Sequence, residues 1–250
     1  MKYVFIVFTL YAGLIGLSNA QELDYPDSFN EPMELFPDAM GDFSFPISSK
    51  NDLAQAYFNQ GFQLMYSFAK EDAVRSFQAS HLADPECAVC WWGESWAWGS
   101  YLNGAMTSAQ APRAYFALKE ALLRVDSATE KEADMIRTLE VRYVEDFNPA
   151  NRRDQDQDYA DAMGELVKKY PDDLDLATLH GDALFLLEER RGYRSLENPN
   201  VVRIHNIFLS VLEKDIRHPG ACHLLVHATE STPTPEIAEP CARFLGNTIP

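Results

Sequence analysis

The sequence predicts an all-α fold, a solenoid of about five antiparallel helical hairpins. Three observations carry that prediction. Beyond residue 50, apolar residues recur at helical spacing with hardly a strand signal. Prolines at Pro85, Pro171 and Pro219 each end one such stretch and precede another. Within residues 57–85, Ala73, Phe77 and Pro85 follow Gly61 at intervals of 12, 16 and 24 residues. A glycine lets two antiparallel helices cross closely, and a small alanine keeps the facing wall thin. The aromatic then fills the gap to the next pair, and the proline stops the second helix.

The elements follow in order. Residues 1–20, MKYVFIVFTLYAGLIGLSNA, read as a secretory signal peptide. Lys2 is the basic end, an apolar run too short for a membrane anchor follows, and small residues precede cleavage after Ala20. Residues 21–50 carry Pro, Asp, Phe and Met without helical period and read as an extended lead-in along the first hairpin. Residues 51–250 form one helical-repeat domain. Its first hairpin is 51–69 with 70–83, capped by Asn51 or Asp52. Helices follow at 86–101 and at 112–125, the latter with Ala114, Ala117, Leu118, Ala121 and Leu122 inside. Another spans 127–144, started by Thr129. The polar run 145–158 reads as a loop. Helices resume at 159–170, at 174–189 with Gly181 as a crossing glycine, at 200–216, at 221–230 and at 235–245.

A formal charge of −17, one unit more negative without Lys2, disfavours nucleic acid and anionic membranes. It suits solubility, a cationic ligand or a basic partner. Four cysteines in an exported chain favour disulfides, with three connectivities open. The most economical pairs Cys87 with Cys90 and Cys222 with Cys241, the second stapling the last hairpin. Cys87-Ala-Val-Cys90 lacks the strand context of a redox dithiol, so a structural bridge or a soft-metal pair is expected there.

His223, His227 and Glu230 fall at i, i+4 and i+7 on one helix and share a face. Two imidazoles one turn apart can chelate copper or zinc, and a carboxylate can complete a facial set. A zinc protease needs Glu directly after its first His, where Leu224 stands, so hydrolysis is disfavoured. The plainer expectation is that both rings pack inward and hydrogen-bond within the solenoid. Trp91, Trp92, Trp96 and Trp98 load both sides of one helix, which suits burial between hairpins. The functional alternative is a stacking surface in the groove, with Glu94 as its polar hand.

Joined, two segments resemble a family of exported bacterial tetratricopeptide-repeat proteins. Phe58, Gly61, Tyr66 and Phe68 match an F-x-x-G-x-x-x-x-Y-x-F opening, with Asp72-Ala73 where the family has Glu-Ala. Asp84, Pro85, Cys87, Cys90, Trp92 and Gly93 match a D-P-x-C-A-x-C-x-W-G junction. His218, Pro219, His223, His227 and Glu230 match an H-P-G-A-x-H-x-x-x-H-A-x-E segment. The resemblance covers about residues 45–230 and implies fold and export more than activity. Such proteins run on into further repeats and histidines, so the chain reads as a C-terminally shortened version. Its expected role is a non-enzymatic periplasmic or secreted scaffold for a protein or peptide partner, without membrane insertion or a resident cofactor. The alternatives are a copper- or zinc-binding protein using His223, His227 and Glu230, and an accessory protein or hydrolase in extracellular polymer breakdown. No phosphate loop or nucleophile motif is present in the sequence.

Overall fold

A computed structural model describes residues 23, 25–36, 41–189 and 193–248. The signal-peptide expectation at residues 1–20 lies outside them. Among the described residues there are ten α-helices and no strand beyond a single bridge between Tyr101 and Gly104. They are α1 (Asp52–Tyr66), α2 (Lys70–Ala83), α3 (Ala88–Trp98), α4 (Ala111–Leu123) and α5 (Glu130–Thr138). Then come α6 (Arg152–Lys169), α7 (Leu174–Phe185), α8 (Pro199–Lys214), α9 (Pro219–Thr229) and α10 (Glu239–Thr248). Most pack as sequential neighbours. No helix among the described residues is long and apolar enough to cross a membrane.

The first two helices form because their ends are satisfied and their inner faces are apolar. Asn51 accepts from the backbone N–H groups of Leu53 at 2.9 Å and Ala54 at 3.3 Å. Its amide also donates 2.7 Å to the Ala83 carbonyl, so one side chain closes the start of α1 and the end of α2. Ala54, Phe58, Gly61, Phe62 and Met65 make the buried stripe of α1. A methyl at Gly61 would stand 2.9 Å from the Phe77 ring, and one at Gly93 would overlap the same ring. Phe77 therefore fills the wedge between α1 and α3. Gly181 meets Phe208 in the same manner between α7 and α8.

Met33, Glu34, Phe36 and Phe45 of the lead-in lie along α1. Tyr57 Oη donates 2.8 Å to the Met33 carbonyl, and Gln60 holds both the Glu34 carbonyl and the Phe36 N–H. Phe45 is buried and stacks on Phe62 with ring centres 4.9 Å apart. Glu132 completes a capping box with Thr129 and also accepts from Ser48 N at 2.7 Å, tying the lead-in to α5.

Two expectations need correction. The polar run 145–158 is not all loop, because α6 begins at Arg152 after a short 3₁₀ turn at Pro149–Asn151. One of its carboxylates is used internally. Arg152 pairs with Asp156 at 2.7 Å, and buried Asp156 faces buried Arg142 at 3.4 Å. Composition alone suggested solvent; the helix hides the carboxylate. The helix predicted over 127–144 is shorter, since α5 gives way to a 3₁₀ turn at Leu139–Val141. That change of path delivers Arg142 and Tyr143 to the interior.

Candidate functional site

The histidine-bearing helix α9 is set in place by its own first turn. His218 caps it, accepting from Ala221 N at 3.2 Å through Nδ1. The other ring nitrogen, Nε2, faces Asp175 Oδ1 at 3.2 Å and Thr178 Oγ1 at 3.3 Å on α7. Gly220 follows, and a side chain there would overlap the Tyr66 ring. The glycine thus lets α9 lie directly against the end of α1.

That contact joins residues far apart in sequence. His223 Nδ1 bonds to the Tyr66 carbonyl, which sits in the last turn of α1 without an intrahelical partner. His227 Nδ1 lies 3.0 Å from Glu230 Oε1, and the two Nε2 atoms face each other at 3.1 Å. Burial lowers the pKa of His223, a tendency the Tyr66 carbonyl opposes and His227 reinforces. Phe68 completes the arrangement. Its ring centre lies 4.4 Å from that of His223 and 5.3 Å from that of His227. It holds this position with φ at 61°, the left-handed region that glycine usually supplies at a helix end. Phe68 N bonds to Met65 O at 3.0 Å and Ala69 N to Leu64 O at 2.9 Å, the paired bonds of a Schellman ending.

The structure therefore brings His223, His227 and Glu230 together. It does so as a chain from the Tyr66 carbonyl through both rings to the carboxylate. Glu230 stands behind His227 rather than beside the facing nitrogens. Among the described residues, no three His, Cys, Asp or Glu side chains converge as a ready ligand set.

No family model, curated protein or solved structure matches this chain.

The cysteines form two disulfides, Cys87–Cys90 and Cys222–Cys241. All four are buried. The pairs suit an oxidising compartment. The first bridge opens α3, with Cys87 as its cap. The second fastens α9 to α10. Three of the four tryptophans are withdrawn from the groove surface of the functional alternative. Trp92, Trp96 and Trp98 are buried, and Trp91 stacks on the His81 ring at 3.5 Å. An all-round apolar helix sits between neighbours on every side, and α3 touches α1, α2, α4 and α5. Glu94 is buried with them and accepts from Gln78 at 2.8 Å and Trp98 Nε1 at 3.2 Å. His81 Nε2 lies 2.8 Å away from the same carboxylate.

Sequence reasoning missed a polar cluster inside the helical array. Lys70 Nζ donates to the carbonyls of Trp98 at 2.9 Å and Gly99 at 2.6 Å, closing the end of α3. Burial, with Arg142 nearby, lowers its pKa to about 7. Arg142 donates 3.0 Å to the Ser100 carbonyl and lies over the Tyr159 ring at 4.4 Å. Burial raises the Asp182 carboxyl to about 6, against the pull of Arg142 and with help from Asp156. A lysine opening a helix and an aspartate inside one look solvated in sequence. Only the folded neighbours make them otherwise.

Beside the histidine helix, a cleft of about 400 Å³ opens between the lead-in, α7, α9 and α10. Asp42, Asp173, Asp175 and Asp215 line it with Lys131, Arg217 and the aromatic rings of Phe43, His218 and Phe244.

Proposed function

We propose that this chain is an exported helical-repeat scaffold of the tetratricopeptide kind that binds a basic segment of a protein or peptide partner without catalysis. The cleft carries this reading. It sets four aspartates against two cations, Lys131 and Arg217, beside aromatic faces, a net acidic lining that suits lysine or arginine side chains, on a chain of charge −17. Sequential helix pairing and the Gly61–Phe77–Gly93 wedge support the repeat assignment. The two disulfides support an extracytoplasmic home.

The test is binding of fluorescent lysine-rich and glutamate-rich peptides to the chain starting at Gln21. The basic set should bind, and joint charge reversal by Asp42→Lys and Asp215→Lys should weaken it about tenfold. Equal binding of both sets, or binding indifferent to the reversal, would sink the reading.

A second reading, a copper- or zinc-holding protein, is favoured by the facing nitrogens of His223 and His227. A platform for extracellular polymer gains little here, because three of the four tryptophans that motivated it, Trp92, Trp96 and Trp98, are in the core.

A further inference from the structure

The hydrogen bonds around the two rings decide where their protons sit. A backbone carbonyl only accepts, and an ionised carboxylate only accepts. His223 Nδ1 meets the Tyr66 carbonyl and His227 Nδ1 meets Glu230, so each ring carries its N–H on Nδ1. With both rings neutral, the two Nε2 atoms present lone pairs to one another across 3.1 Å. Two facing lone pairs repel unless an electrophile lies between them.

A metal ion fits that place. With metal–nitrogen bonds of about 2.05 Å, a separation of 3.1 Å corresponds to an angle of roughly 100° at the metal. That value lies between octahedral and tetrahedral geometry. The surroundings also match what metal-bound histidines need. Such rings donate their other N–H to a carbonyl or carboxylate, which fixes the tautomer and raises ligand basicity. Here one ring has each kind of partner. The Phe68 ring lies against both imidazoles, and its left-handed backbone is the kind of local strain that clusters at ligand clamps.

The geometry points to a two-histidine chelate: His223 Nε2 and His227 Nε2 bind one borderline divalent metal, with Glu230 and the Tyr66 carbonyl as orienting partners rather than ligands. It rests on the metal-holding reading above and gives that reading a ligand set. All four cysteines are in disulfides, which leaves an all-nitrogen protein donor pair. Such a pair favours Cu(II) over Zn(II) in the order of divalent affinities. His227 and Glu230 keep solvent contact, with side chains 24% and 54% exposed. The remaining coordination positions are therefore open to water or to an exchanging ligand, which suits a metal that is passed on.

The experiment is titration of the chelator-freed chain, starting at Gln21, with Cu(II) and separately with Zn(II), followed by calorimetry and by electron paramagnetic resonance of the copper form. One equivalent of Cu(II) should bind with two imidazole nitrogens coupled to it. His223→Ala and His227→Ala should each weaken binding by about 100-fold or more. Glu230→Ala should weaken it about 10- to 100-fold while two nitrogens remain. His227→Ala is the safer variant, because it leaves the His223 bond to the Tyr66 carbonyl in place, and unchanged thermal unfolding will show that it folds. Uptake below about 0.2 equivalents overturns both this assignment and the metal reading, and leaves a shared proton as the bridge. A full equivalent that survives His227→Ala overturns the ligand assignment alone. Loss of metal on Glu230→Ala with a changed nitrogen count would make Glu230 a ligand and overturn its outer role.

Discussion

The region around α1–α3 and the region around α5–α7 hold together by different physics. In the first, Phe77 fills the space left by two glycines, and Phe58, Phe62, Trp92 and Trp96 crowd about it. Volume and shape are what matter there. In the second, an arginine and an aspartate are buried as a pair, two tyrosine rings flank the guanidinium, and Asp182 lies close enough to be perturbed. Charge balance is what matters there. The comparison teaches that a stack of helix pairs need not have a uniform interior.

Substitutions can break that contrast. Arg142→Ala should cost about 3 kcal/mol in urea unfolding, because it removes the buried cation facing Asp156 and leaves only the half-exposed Arg152 to balance that carboxylate. The double change Arg142→Met with Asp156→Leu should recover most of that loss. Failure of the double variant to recover anything would mean that packing, not charge, dominates there. Phe77→Ala should cost a similar 3–5 kcal/mol, here through a cavity that no charge compensation repairs. Next comes Gly93→Ala, whose added methyl overlaps the Phe77 ring, at about 1–3 kcal/mol. If Gly93→Ala were neutral, the wedge would be looser than described.

Disulfides and pH sharpen the contrast further. Reducing Cys222–Cys241, a bridge spanning 19 residues, should cost about 3 kcal/mol. Reducing Cys87–Cys90, spanning 3, should cost less. Separate double-serine variants measured by thermal unfolding will show whether that order holds. The pH effects follow from the perturbed groups. Asp182 rises from 3.8 to about 6, so between those values the folded state binds more protons than the unfolded one. Stability should fall as pH rises through that window, and Asp182→Asn should flatten the fall. Lys70 drops from 10.5 to about 7, so between those values the unfolded state binds more protons. Stability should rise with pH there, and Lys70→Met should remove the rise. Unaltered pH profiles in both variants would show that neither group is perturbed as described.

How much was legible beforehand depends on where each constraint lives. The Gly61–Phe77–Pro85 unit was readable because its sterics follow from fixed helix geometry over a short span. Thr129 and Asn51 were readable as caps for the same reason. The start of α6 was not, because RRDQDQD looks like solvent-loving chain until Arg142 arrives from another segment. The candidate site was half legible. The spacing of His223, His227 and Glu230 showed a shared face, and the motif containing Tyr66 and Phe68 stood out separately. Nothing in the linear order showed that these two segments touch, since 157 residues separate Tyr66 from His223. Nor could spacing show that Glu230 would address the rear nitrogen of His227.

That long-range contact changes what kind of object this is. An open stack of repeats shares energy only between neighbours, so it can fray from either end while the middle stands. Here α9 leans on α1, and Thr248 in α10 comes within 3.3 Å of where a side chain on Gly41 would project. Neighbour couplings joined in this way form a loop rather than a line. Unfolding should then be all-or-none, and folding should wait on a closure that few local contacts can hasten.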